Sequence, residues 1–186
     1  MPSAPTPDKG RRRAYRYDMQ LLVIRHATAE DRDTFAASGR DDSERPLTPA
    51  GRDKMRRAVA GLLRAVPKID LLASSPFVRA MQTADVVADA YGIEAIKWVD
   101  ALVPDAPLQR LLGWLERKGS VDVVAIVGHE PHLGELVTWL MSGLPESRVE
   151  LKKGGAGLLE FHGQPGAGVG VLKWLMTPGQ LRDLSR

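Results

Sequence analysis

The chain of 186 residues contains no cysteine. Disulfides, thiolate metal sites and cysteine nucleophiles are therefore excluded. Long apolar runs are lacking too, and none approaches the roughly 20 residues that a membrane-spanning helix needs. Aromatic residues make up only 5%. The four tryptophans, Trp98, Trp114, Trp139 and Trp174, are scattered and read as core or rim packing rather than a stacking platform. No Gly-x-Ser-x-Gly elbow and no Walker A sequence occurs. Gly166, Gly168 and Gly170 form a Gly-x-Gly-x-Gly string, but a strand follows it and not a helix, so it reads as a turn. The N-terminal arginines are not followed by an apolar stretch, so no secretory signal is expected. The expectation is a cytoplasmic protein with no membrane partner.

What is present is an ordinary globular composition. Hydrophobic residues make up 44%, too many for a disordered chain. The net charge of +3 is unevenly placed. Residues 1–18 hold five basic and two acidic side chains, while residues 19–186 hold 21 of each. The basic character thus belongs to the N-terminal stretch, which also carries Pro2, Pro5 and Pro7 and reads as a mobile extension. Residues 19–186 read as a single domain, neutral overall, for which no nucleic-acid partner is expected.

Beyond the extension, strand and helix signals alternate. Met19–Ile24, Ile69–Ala73 and Val121–Val127 are short apolar runs of the kind buried in parallel sheets. Thr48-Pro49 predicts a helix start, with Met55, Val59, Leu62, Leu63 and Val66 as its buried stripe. Ser75-Pro76 repeats that signal for a helix reaching Tyr91-Gly92. A third helix spans Pro107–Lys118 with Gly119 as its stop, and a fourth follows Pro131 and ends near Gly143. Gly157–His162 and Val169–Met176 read as a hairpin that adds an antiparallel edge. Ala27–Pro46 lacks a period and reads mostly as a loop. The fold class is α/β: three layers, helices on both faces of a mostly parallel sheet.

Three of the strands run out into residues that carry chemistry. Arg25-His26-Ala27 ends the first. Ser74-Ser75-Pro76 ends the second, with Arg79 one helical turn on. Gly128-His129-Glu130-Pro131 ends the third. Functional groups of open α/β sheets gather at the carboxyl ends of the strands. A guanidinium is planar, permanently charged and able to grip two oxygens of one phosphoryl group. A neutral imidazole is a nucleophile that can accept a phosphoryl group, provided an acceptor holds its other nitrogen. A second imidazole can donate to the phosphoryl oxygens as charge moves.

These elements resemble the histidine phosphatase superfamily, with its phosphoglycerate mutase-like fold. The resemblance rests on Arg25-His26-Ala27, with Ala27 where the family usually has Gly. It rests also on Leu47-Thr48-Pro49-Ala50-Gly51, on the complete Ser74–Ala84 element and on Gly128-His129-Glu130-Pro131. It spans about residues 19–177. Arg45-Pro46-Leu47-Thr48 and Trp174-Leu175-Met176-Thr177-Pro178 are similar to the short SixA-type phosphohistidine phosphatases. The resemblance implies His26 as nucleophile, with Arg25, Arg79 and His129 binding the phosphoryl group. It implies no metal and no other cofactor.

The superfamily's mutases and small-molecule phosphatases carry a general-acid Glu where this chain has Leu102-Val103-Pro104. An alkoxide needs a proton to leave. A phosphorylated imidazole can instead take its proton from solvent near neutral pH. The SixA-type resemblance, with which the missing acid agrees, implies a phosphohistidine protein of signal transduction or phosphotransfer as the favoured partner. A phosphatase of small phosphomonoesters or phosphoanhydrides is the alternative, with Asp100, Asp105, Glu30 and Glu130 as substitute acids. A non-catalytic phosphoprotein-binding module is a third reading. The short span between Arg79 and His129 leaves no large insertion to close over the site. Plainer readings remain beside these: Arg79 paired with Asp85 or Asp89, His129 with His132 as a metal pair, His132 as an ordinary helix start, and His162 as a structural strand residue.

Overall fold

The structure, a computed structural model, describes residues 18–118, 121–144 and 146–186. The expectation for the N-terminal extension, and Gly119 as a helix stop, lie outside the described residues. Fourteen elements follow in chain order, and the helices here include two short 3-10 turns. The strands are β1 (Asp18–Arg25), β2 (Leu71–Ser74), β3 (Lys97–Trp98), β4 (Val123–Gly128), β5 (Ala156–His162) and β6 (Val171–Met176). The α-helices are α1 (Arg32–Ala36), α2 (Pro49–Ala65), α3 (Val78–Tyr91), α4 (Leu108–Glu116), α5 (His132–Ser142) and α6 (Pro178–Leu184). The 3-10 turns are Asp42–Glu44 and Asp100–Leu102.

The strands form one sheet in the order β3-β2-β4-β1-β5-β6. β1 pairs with β4, β2 with β4, and β2 with β3, all in parallel. β5 runs antiparallel to both β1 and β6, which supplies the antiparallel addition at one side. β1 can be apolar throughout because it is covered on both faces, and Leu21, Leu22, Val23 and Ile24 are fully buried. Their alternation splits the core into two layers. Leu22 and Ile24 pack with α2, α3 and Leu181 of α6, while Leu21 and Val23 pack with α4 and α5. The chain leaves β1 for β2 and β3, then returns to insert β4 beside β1. That reversal opens a crevice at the carboxyl ends of β1 and β4.

The helix boundaries follow their local chemistry. The Thr48 hydroxyl accepts from the Gly51 amide at 2.9 Å and Pro49 fills the first turn of α2. Gly92 and Gly143 close α3 and α5 in the left-handed conformation. The Ser75-Pro76 start is displaced: α3 begins at Val78, and Ser75 serves the site instead. Two parts of the fold depart from the sequence reading. Ala27–Pro46 is not merely a loop, since α1 and a 3-10 turn form within it and Ala29 bridges to Leu47. Asp31 and Asp41 cap these two pieces through their own side chains. The sequence reading also missed α6, although Thr177-Pro178 and Gln180 make a full capping box.

α6 lies against α2 at a glycine. A Cβ on Gly61 would sit 1.7 Å from the Leu181 carbonyl oxygen, a backbone atom that cannot swing aside. Alanine gains about 1 kcal/mol of helix propensity over glycine. Overpacking costs about 1–3 kcal/mol and sometimes more, so the clash wins. Gly61→Ala should therefore lower unfolding free energy in urea. A Gly61→Ala protein as stable as the parent would show that α6 does not pack there.

Candidate active site

His26 follows β1 directly. Its amide donates to the Gly128 carbonyl at 3.0 Å, carrying the β1–β4 pairing one residue beyond the sheet. The ring Nδ1 lies 2.7 Å from the Ala27 carbonyl oxygen. A carbonyl can only accept, so Nδ1 bears the proton and the neutral ring keeps its lone pair on Nε2. Ala27 is itself fixed, because its amide donates to Thr83 Oγ1, which donates on to the Arg79 carbonyl. His26 is buried, and that desolvation pushes its pKa down to about 3. The Ala27 carbonyl opposes the shift, while the charges of Arg79, Arg25 and Arg45 add to it.

The other three expected residues converge on it. The ring centroids of His26 and His129 are 5.1 Å apart. His129 Nε2 lies 2.9 Å from Ser75 Oγ, and Phe77 stands edge-on to its ring at 5.2 Å. Burial, with His26 and Arg79 as further causes, lowers His129 to about 2. Arg79, at the second position of α3, is 2% exposed. Its Nη1 donates to the Asp42 carbonyl at 2.7 Å and its Nη2 lies 3.1 Å from Asp42 Oδ2. The plainer alternative, a pairing with Asp85 or Asp89, gives way to this contact with Asp42. Arg25 Nη1 donates to the Leu151 carbonyl at 2.6 Å. Three buried atoms are left without a hydrogen-bond partner: Arg25 Nε, Arg79 Nε and His129 Nδ1.

Asp42 was not among the expected residues, yet three arginines meet on it. Arg45 Nε donates to Oδ1 at 2.8 Å, and Arg32 Nε is 3.7 Å from the same oxygen. Desolvation works to raise the Asp42 carboxyl, but the Arg45 hydrogen bond and the three arginine charges outweigh it and hold it low. Arg45 is buried and also donates to the Glu30 carbonyl at 2.8 Å. The only sequence signal for Arg45 was the Arg45-Pro46-Leu47-Thr48 string. Asp42 gave none, since its role depends on where the Ala27–Pro46 segment folds.

The four expected residues line a cavity of about 610 Å3, with Arg32, Arg45 and Lys153 adding cations to its wall. Pro104 lines it as well, at the place where the sequence comparison missed an acid. The candidate substitutes fall differently. Glu30 and Asp105 are exposed on the cavity wall. Asp105 is the one non-glycine residue with positive φ among the described residues, at 66°. Glu130 also lines the cavity, but its Oε1 accepts from the Leu151 amide at 2.8 Å, so it is committed to that backbone. Asp100 opens a 3-10 turn away from the lining residues.

The remaining histidines sit elsewhere. His132 begins α5, as expected, but it is 2% exposed and its ring is buried in the core near the Ala106 backbone. No group of three or more His, Asp or Glu is gathered for a metal ion among the described residues. His162 ends β5, as the strand reading placed it, and is exposed, its Nδ1 3.2 Å from Asp18 Oδ1 on the neighbouring strand.

Two arginines and two imidazoles thus meet in one cavity at the switch point of a doubly covered sheet. The model of the histidine phosphatase superfamily (branch 1) matches residues 21–101. An uncharacterized protein of Picosynechococcus sp. is 32% identical over 139 residues, 74% of this chain and 82% of its own. Phosphohistidine phosphatase SixA of Escherichia coli K12 is 27% identical over 167 residues, 88% of this chain and 97% of its own. The solved structure of the protein histidine phosphatase SixA complexed with tungstate matches with a TM-score of 0.74 and 27% identity, over 88% of this chain and 99% of that one. The chain belongs to the histidine phosphatase superfamily and has the phosphoglycerate mutase-like fold of its SixA type. Membership supports a phosphatase.

The two depressed imidazoles bear on stability. Folded, they are neutral down to low pH, whereas in the unfolded chain they protonate near 6.5. Between those values the unfolded state binds more protons, so stability falls as pH falls below 6.5. Each group can contribute at most about 1.4 kcal/mol per pH unit over that window. The urea midpoint should drop from pH 7 to pH 5, and His26→Gln with His129→Gln should flatten that slope. An unchanged slope in the double variant would mean the rings are not held neutral.

Proposed function

We propose that the chain is a phosphohistidine phosphatase in which His26 is transiently phosphorylated. One observation carries this reading. The Ala27 carbonyl leaves the His26 lone pair on Nε2, and Arg25, Arg79 and His129 line the same cavity while Arg25 Nε, Arg79 Nε and His129 Nδ1 are buried without partners. A buried donor without a partner costs about 1–3 kcal/mol, and a phosphoryl oxygen would relieve it. That the similar SixA structure holds tungstate, also an oxyanion, supports the same placement.

In the first step Nε2 of His26 bonds to phosphorus as the bond from phosphorus to the substrate imidazole nitrogen breaks. The leaving imidazole carries a proton taken from solvent on its other nitrogen and departs neutral. Arg25 and Arg79 hold the non-bridging oxygens, and His129 donates to them as charge shifts. In the second step water attacks phosphorus, the bond to His26 breaks and inorganic phosphate leaves. Nδ1 keeps its proton throughout, so the Ala27 carbonyl fixes the ring in both steps. No acid is needed where Pro104 stands. No metal or other cofactor enters this scheme.

The size of the cavity favours a second reading. At about 610 Å3 it lies in the range of small-molecule sites, about 300–1,000 Å3. Residues 29–45 form part of its wall, so the site is less open than the sequence suggested. A small phosphomonoester or phosphoanhydride would use the same four residues, with Asp105 or Glu30 supplying the leaving-group proton.

Dephosphorylation of a phosphohistidine protein, p-nitrophenyl phosphate and a sugar phosphate should be compared with chelator present. We expect the phosphohistidine protein to be preferred and the chelator to have no effect. Faster turnover of the sugar phosphate would establish the small-molecule reading. His26→Ala should abolish turnover with the fold intact, and activity within a few-fold of the parent would remove the nucleophile assignment. Arg79→Lys should lower kcat/KM by about 100-fold or more, because an ammonium cannot reproduce the two-oxygen fork. Parent-like kinetics in that variant would put Arg79 outside the reaction.

A further inference from the structure

A second, smaller cavity of about 230 Å3 lies beside the first. Ala27 and Thr28 form part of its wall, and Lys153 lines both cavities. Lys54 of α2 and Arg182 of α6 complete its charged lining, and no acidic residue lines it. None of these three cations makes an ion pair among the described residues. Neighbouring charges are paired among themselves: Asp53 with Arg56, Glu150 with Lys152, and Asp183 with Arg186. Three unpaired cations on residues 19–186, which are neutral overall, make a local charge that the fold leaves unanswered.

Lys153 is not on a loose loop. The Gly154 amide reaches the carbonyls of Arg25 and His26 at 3.2 and 3.1 Å, and the Gly155 amide closes the turn on the Lys152 carbonyl at 2.7 Å. Gly154 has φ +76°, a conformation that β-carbon-bearing residues adopt at a cost. The turn that presents Lys153 is thus tied to the same backbone that carries His26. The two cavities meet at Lys153, so the basic groove adjoins the one that His26 lines.

We infer that the groove of Lys54, Lys153 and Arg182 docks carboxylates flanking the phosphorylated side chain of a protein substrate. The inference rests on the protein-substrate reading above. Lys54 and Lys153 are exposed and Arg182 half-buried, and such solvated cations act by charge, through weak and salt-sensitive pairs, so they suit an acidic surface better than a fixed small ligand. They would add to KM discrimination among phosphoproteins and leave the chemistry at His26 unchanged.

The test uses two otherwise identical labelled peptides centred on histidine, one flanked by glutamates and one by glutamines. The full chain should bind the glutamate peptide about tenfold tighter at low salt, the scale of a few exposed ion pairs acting together. That preference should vanish at about 0.5 M salt, where screening is short-ranged, and in the Lys54→Glu/Arg182→Glu double variant. Hydrolysis of p-nitrophenyl phosphate by the double variant should match the parent. Equal binding of the two peptides by the parent would overturn the inference, as would a double variant that keeps the preference or loses p-nitrophenyl phosphate turnover. Turnover of the phosphohistidine forms of the peptides reports separately on the reading beneath. A glutamate preference in binding with no dephosphorylation of either peptide would leave the docking groove standing and remove phosphohistidine as the substrate. A parent that instead prefers inorganic pyrophosphate over the glutamate peptide, through Lys54 and Arg182, would assign the groove to a second phosphate and overturn it.

Discussion

The register of the parallel pair β1–β4 sets Arg25 opposite Gly128. The placement of His26 against His129 depends on that match. Because both strands end at the same level, the first residue beyond each, His26 and His129, emerges side by side. The His26 amide then bonds to Gly128, so the loop cannot drift before the ring is placed. A shift of one residue would turn Leu22 and Ile24 toward the α4–α5 face and Leu21 and Val23 toward α2 and α3. Burial of both faces of β1 therefore fixes the spacing of the two imidazoles, and the chemistry inherits its geometry from hydrophobic packing.

Holding two arginines beside two imidazoles in a buried place is electrostatically unfavourable unless something answers the charge. Asp42 does so from outside the cavity lining, against Arg79, Arg45 and Arg32. The imidazoles answer it differently, by staying neutral. One consequence is that the neutral form of His26 is its resting form across neutral pH. Another is that Arg25 Nε, Arg79 Nε and His129 Nδ1 stay buried without a partner, donors that the proposed phosphoryl group would satisfy.

Much of this was legible in the sequence because it follows local rules. Apolar runs gave β1, β2 and β4, Thr48-Pro49 gave α2, and the strand ends gave Arg25, His26, Arg79 and His129. What was not legible depends on tertiary placement. Asp42 meets Arg79 across 37 positions of chain, and nothing near Asp42 announces it. α1 and the 3-10 turn after it are too short to show a period, and their capping aspartates read as loop residues. Ser75 looked like a helix start but bonds His129, since α3 begins three residues later and frees the hydroxyl. α6 was different in kind: Thr177, Pro178 and Gln180 carried its signal openly.

The site is walled unequally, and this bears on the proposed substrate. On one side residues 29–45 bring Arg32 and Arg45 against the cavity, with Arg45 buried and doubly bonded. On the other side the wall is Lys153, on a turn tied to the His26 backbone, and beyond it lies a basic groove. A small substrate would be enclosed by the first wall and would have no use for the groove. A phosphorylated side chain arriving on a protein needs only a slot for its phosphoryl group and a surface for its neighbours. Pro104 in place of an acid agrees with that second case, because an imidazole leaving group brings its own site of protonation. The proline and the groove are unrelated in sequence and in physics, yet both are simplest for a phosphohistidine protein.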